Sequence, residues 1–208
     1  MRLALSFLSA IALASICAAQ DIDRSFPAQT FTIDPSHTSV VFSINHIGFS
    51  DYTASFDDIA GSLALDPDDP ESALLEVTIR TDSLDLPKPP EGFREMLLGP
   101  DWLDAAGHPD ITFRSTLIER TGERTADVTG DLTLKGVTAP VKMQVSFNQS
   151  WGEQPFEPHA RIGFSADTVF DRSAFGLDAG LPPPGTDFGV GDAITVRIET
   201  ELTGEPFR

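Results

Sequence analysis

The stretch Ser39-Val40-Val41-Phe42-Ser43-Ile44-Asn45-His46 repeats every two residues: Val40, Phe42, Ile44 and His46 share one face of a strand, and Val41, Ser43 and Asn45 share the other. The same period recurs at Gly61/Leu63/Leu65, Leu75/Val77/Ile79, Ile111/Phe113, Ala126/Val128/Gly130/Leu132/Leu134, Val141/Met143/Val145/Phe147, Ala160/Ile162/Phe164 and Ile194/Val196/Ile198, eight strands in all. Turn chemistry separates several of them, at Asp66-Pro67-Asp68-Asp69-Pro70, Arg120-Thr121-Gly122-Glu123 and Lys135-Gly136-Val137-Thr138-Ala139-Pro140. Two segments break the rhythm. Pro89 to Ala106 places Phe93, Met96 and Leu97 at helical spacing before a Gly-Pro break, which predicts a helical turn or two in a crossover capping one end. Asp178 to Gly191 contains three consecutive prolines and reads as a long loop before the last strand. The expected class is all-β, an eight-stranded antiparallel barrel with a short helical crossover segment. Closure removes the unprotected edges that eight strands would otherwise expose. A β-sandwich is the alternative.

The 208 residues carry 14 Lys+Arg against 32 Asp+Glu, a formal charge of -18 that repels nucleic acid. A hydrophobic content of 40%, with 15 Phe, is enough for a packed core and too high for a disordered acidic chain. Residues 1–19 have one basic residue, Arg2, then an apolar run from Leu3 to Ile16, then the small residues Cys17, Ala18 and Ala19. At about 14 residues that run is shorter than the roughly 20 a membrane helix needs, so it reads as a cleavable signal peptide. The expected product is periplasmic or secreted, without stable membrane insertion. Residues 20–29 read as a flexible lead-in and 30–208 as the barrel. The one cysteine, Cys17, leaves with the leader, so disulfides, thiolate metal sites and thiol nucleophiles are excluded.

The four histidines, His37, His46, His108 and His159, show no ligand spacing, and no metal is expected. His46 is in phase with Val40, Phe42 and Ile44, so it is expected to face inward as a satisfied core imidazole or as a polar contact for a ligand. The acidic run Asp66, Asp68, Asp69, Glu71 lacks the glycine and spacing of a calcium loop and reads as a solvated hairpin. Gly163-Phe164-Ser165-Ala166-Asp167 lacks the second glycine of a nucleophile elbow. No nucleophile, base and oxyanion set emerges, so an enzyme is not expected. Inward Gly61, Ala126, Gly130, Ala160 and Ala166 are small. They leave volume either for a slim ligand or for large neighbours that fill the taper.

His37-Thr38-Ser39-Val40-Val41-Phe42-Ser43-Ile44-Asn45-His46-Ile47-Gly48 resembles the first-strand motif of the YceI-like polyisoprenoid-binding proteins. So do Asp101-Trp102-Leu103-Asp104 with His108-Pro109-Asp110-Ile111-Thr112-Phe113, the run Val128 to Val141, and Asp171-Arg172-Ser173-Ala174-Phe175-Gly176-Leu177. The resemblance runs from about Phe31 to the C-terminus, with the motifs in family order. It implies a lipocalin-like periplasmic barrel that needs no cofactor and holds an amphipathic lipid with a long prenyl chain, a polyisoprenoid or an isoprenoid quinone, without catalysis; a homodimer is compatible with it. Val40, Phe42, Ile44, Phe113, Leu132, Val145, Phe164 and Phe175 are the expected pore lining, with His46 and Arg172 as polar contacts. A filled-core structural or stress-related barrel and a quinone-dependent redox partner are the alternatives. One departure stands out. Met96-Leu97 occupies the place of the family's usual histidine-leucine pair and Phe93 that of a usual arginine, beside an added proline-rich stretch from Leu86 to Glu91. A lid so apolar favours an uncharged ligand head over a pyrophosphate.

Overall fold

The computed structural model describes residues 26–152 and 158–206. The expected signal peptide and residues 20–25 of the lead-in lie outside them. Eleven strand segments form one antiparallel sheet: β1 (Gln29–Ile33), β2 (Ser39–His46), β3 (Ser50–Phe56), β4 (Ile59–Leu65), β5 (Leu74–Arg80), β6 (Leu84–Asp85), β7 (Asp110–Arg120), β8 (Thr125–Leu134), β9 (Val137–Trp151), β10 (His159–Asp171) and β11 (Val190–Pro206). β1 pairs with β4 on one side and β11 on the other, which closes the sheet on itself.

Eleven segments make eight wall strands because three of the walls are each broken once. β11 runs along β2 and then β1, with the turn Pro35–His37 between them. β3 and β4 are likewise one wall interrupted at Asp57-Asp58, and β5 and β6 one wall interrupted by Thr81–Ser83. Each wall then pairs with its sequence neighbours, and the last returns to the first: an up-and-down barrel. The alternation missed β1 and β3 as separate strands, although Phe31/Ile33 and Tyr52/Ala54/Phe56 carry the period. β9 starts at Val137, since Lys135 and Gly136 at φ 51° and 74° complete the hairpin turn between them. Of the expected lead-in, Phe26 is buried edge-on to Phe31, with ring centroids 5.3 Å apart.

Two register shifts alter which residues face inward. The extra residue near Thr116 moves the inward phase of β7 from Ile111, Phe113 and Ser115 to Ile118 and Arg120. Another near Asn148 moves that of β9 from Val145 and Phe147 to Ser150.

The two ends of the barrel differ. One carries the short turns β4–β5 and β7–β8. The other is covered by the crossover between β6 and β7, which contains the helix α1 (Phe93–Leu98), bounded by Gly92 at φ 75° and by Gly99-Pro100. Phe93, Leu97 and Leu98 of α1, with Leu103, pack against a buried cluster that includes Leu84, Leu86, Ile111, Leu134, Phe175 and Leu177. The side chain of Arg94 secures the crossover, donating to the carbonyl oxygens of Leu84 (2.9 Å) and Asp82. This end is the floor of the barrel.

Candidate functional site

Inward residues of all eight walls surround a central cavity of about 350 Å³. Its wall is almost wholly aliphatic and aromatic, with Ile33, Leu63, Val77, Met143, Phe147 and Val196 among the lining side chains. The hydroxyls on it are engaged: Thr38 and Thr200 bond each other at 2.8 Å, and Thr168 donates to the Lys142 carbonyl at 2.8 Å. The lining reaches solvent at the turn end, through Pro67, Pro70, Arg120, Glu123, Arg124 and Thr125, and stops at the floor end behind Phe42, Ile79, Ile111, Leu134, Val141 and Phe170. Arg124 at the mouth donates to the Asn148 carbonyl at 2.7 Å and lies 5.5 Å from the Phe147 ring centroid.

Of the sequence-predicted residues, Val40, Phe42, Phe113, Leu132, Val145 and Phe164 line this cavity. The other four do not. Ile44 is half-buried one inward position nearer the floor, opposite Tyr52 and Ile194. His46 is exposed: β2 extends past the last closed ring, and its final residue, paired with Val190 and Ser50, faces solvent although it keeps the inward phase. Phe175 is 1% exposed but belongs to the floor, stacked edge-on to Phe170 at 5.4 Å.

Arg172 is a structural tie rather than a ligand contact. It is 2% exposed and donates from Nε to Gly191 O (2.8 Å), from Nη1 to Leu177 O and Ala179 O (2.9 Å), and from Nη2 to Val190 O (2.9 Å), with its guanidinium 5.6 Å from the Trp102 ring centroid. Burial pushes its pKa down, and the carboxylates of Asp192 and Asp178 oppose that. The proline-rich loop is thereby fastened to the strand that precedes it and the crossover to the loop.

The small inward residues divide. At Gly61 and Gly130 a neighbour fills the space: an added β-carbon would meet Ile33 Cδ1 at 2.8 Å and Phe113 Cζ at 2.3 Å. Ala160 is fully buried in the packed core, whereas Ala126 and Ala166 face the cavity. Tapered packing and open volume therefore coexist in one barrel.

Two polar features escaped the sequence reading. Asp34, His37 and Glu201 gather ligand-type atoms within 4.8 Å of one another, but Arg161 already ties the carboxylates, at 3.0 Å from Asp34 and 2.5 Å from Glu201, and His37 Nδ1 lies 2.9 Å from Asp34. These residues come from three walls, so no local motif announces them. The second is the hydroxyl of Tyr52, enclosed at the floor without a hydrogen-bond partner. Leaving such a group unpaired costs about 1–3 kcal/mol.

A closed up-and-down β-barrel with an apolar cavity open at one end defines the lipocalin-like class of architecture. The sequence profile of the YceI-like domain matches residues 31–202, and the chain belongs to the YceI-like family. Similar sequences include a UPF0312 protein of Pseudomonas savastanoi pv. phaseolicola, 36% identical over 152 residues (72% of this chain and 77% of that one), and a UPF0312 protein of Pseudomonas putida strain W619, 37% identical over 141 residues (68% and 71%). Among solved structures, the fold is similar to that of Burkholderia cenocepacia BcnA, with TM-score 0.69 and 23% identity over 81% of this chain and 98% of that one. It is also similar to a polyisoprenoid binding domain from Saccharophagus degradans, with TM-score 0.63 and 12% identity over 85% and 99%.

Proposed function

We propose that this chain is a secreted, periplasmic, non-catalytic carrier that holds a long isoprenoid chain in the barrel cavity. The observation that carries the reading is the cavity itself. Unfilled apolar volume is costly, roughly 24 cal/mol per Å³ where it is enclosed in a core, and about 350 Å³ is left open here. A barrel whose only task were to be stable would fill that space, as Phe113 and Ile33 fill theirs over Gly130 and Gly61. An elongated hydrocarbon supplies the missing contacts and contributes about 0.8 kcal/mol per buried CH2 before ordering costs. An eight-stranded barrel leaves room for one slim ligand, and the polyisoprenoid binding domain from S. degradans, similar in fold, supports a prenyl ligand class.

Native mass spectrometry of the protein purified from its own compartment, followed by extraction of what co-purifies, tests this. A prenyl lipid bound one per barrel is the expected result. A barrel that is consistently empty and takes up no prenyl compound on incubation overturns it and leaves a structural role.

A further inference from the structure

The inward residues of β3 are Tyr52, Ala54 and Phe56, paired with Ile44, Phe42 and Val40 of β2. Phe42 and Val40 line the cavity and Tyr52 does not; it stands one inward ring beyond Phe42 toward the floor, about 7 Å further along the strand, in the same ring as Ile44 and Ile194, and Ile194 is part of the cavity lining. There its ring packs edge-on to Phe93 of α1, with centroids 6.2 Å apart, in the cluster that seals the barrel. Its hydroxyl is the one buried side-chain polar atom without a hydrogen-bond partner among the described residues. Buried hydroxyls in folded proteins are almost always paired, and an orphan calls for an explanation.

We propose that the Tyr52 hydroxyl is the hydrogen-bonding subsite for an uncharged oxygen function, a carbonyl or hydroxyl, at the deep end of the bound prenyl lipid. This rests on the carrier reading above. Two arginines at the floor are already committed, Arg94 to the carbonyls of Leu84 and Asp82 and Arg172 to four carbonyls of the 177–191 loop. A pyrophosphate brought to this end would find neither of these guanidiniums free to neutralise it, whereas a quinone carbonyl or a prenol hydroxyl needs only the single partner that Tyr52 offers. A lipid with a charged head binds the other way round, tail inward and head at the mouth, out of reach of Tyr52.

The test uses the full chain and its Tyr52→Phe variant with four probes of equal chain length: a prenylated benzoquinone, a polyprenol, a polyprenyl pyrophosphate and a plain polyprene hydrocarbon. The variant is expected to bind the quinone and the polyprenol about threefold to tenfold more weakly than the wild type, the range of one neutral hydrogen bond, and to bind the hydrocarbon and the pyrophosphate unchanged. Without ligand it should melt at the wild-type temperature or above, because the substitution removes an unpaired group. Equal affinities of the two proteins for the quinone and the polyprenol, or an equal loss for all four probes, overturns the subsite while the carrier reading stands. A wild-type protein that binds none of the four overturns the carrier reading itself.

Discussion

The ring of Phe113 rests directly on the backbone of Gly130 in the neighbouring strand: a β-carbon at that glycine would come within 2.3 Å of Phe113 Cζ and 2.5 Å of the Arg114 carbonyl oxygen. The ring lines the cavity, and the carbonyl belongs to the β7–β8 ladder. Gly130→Ala is therefore expected to cost about 1–3 kcal/mol, read as a lower urea midpoint at an unchanged slope. It should also weaken prenyl binding by pushing Phe113 into the ligand's path.

Ala166 presents the opposite case, since its methyl group faces open volume. Ala166→Leu should leave the ligand-free protein as stable as the wild type or stabilise it by about 0.5–2 kcal/mol, as cavity-filling changes do. The same change should lower affinity for a prenyl chain. Calorimetric melting and binding to a fixed-length polyprenol, measured together, separate the two effects; a loss of stability without a loss of binding would mean that the space is already filled.

Replacing Arg172 strips four carbonyl oxygens of their donor. Arg172→Met is expected to destabilise by about 3–5 kcal/mol, with protease sensitivity appearing first in the 177–191 loop. Arg172→Lys should recover only part of this, because an ammonium cannot reproduce the planar fork. Prenyl affinity of the fraction that remains folded should be unchanged, since the side chain does not reach the cavity.

Asp34 is expected to contribute to stability in acid. Hydrogen bonds from Ser36 and His37, and then from Arg161, hold its pKa well below the usual carboxylate range despite desolvation. A carboxyl depressed on folding contributes stability that is fully present above its unfolded pKa of about 3.9 and is lost as pH falls from there toward the folded value. Urea midpoints should therefore separate wild type from Asp34→Asn at pH 6, and the gap should narrow steadily below about pH 4.

Ile47 occupies the left-handed region at φ 55°, first of the two central residues in the turn joining β2 to β3, with Gly48 at φ 72° second. A β-branched residue is disfavoured there, whereas asparagine tolerates it. Ile47→Asn is expected to raise stability by about 1 kcal/mol, visible as a higher thermal midpoint.

The barrel was legible in the sequence because Val40/Phe42, Leu75/Val77 and Ala126 to Leu134 keep a strict two-residue period, and a closed meander needs little else. Placement along the barrel axis was not. Phase says which way His46 points within its strand, but not that the closed wall ends before it, which is why an inward-phase residue is solvated. Ile44 and Phe175 fall on the floor side of the cavity for the same reason. The breaks at Pro35–His37, Asp57-Asp58 and Thr81–Ser83 divide walls into pieces too short to stand out, and the register shifts near Thr116 and Asn148 change phase without any turn residue to mark them. Arg172 carries no local sign of its role, because its acceptors come from residues 177–191. The Tyr52 hydroxyl is conspicuous only once every neighbour has been placed.

The floor is also built differently from the wall. β6 has a strand partner, β3, on one side only, and its other flank meets the crossover, held by the Arg94 contacts and apolar packing in place of a ladder. Wall amides, held in ladders, are expected to exchange only when the whole barrel opens, while amides of 86–106 need only the crossover to lift. The molecule is thus expected to open as two cooperative units of unequal stability, and deuterium uptake should reveal one end unsealing many times for each time the barrel unfolds.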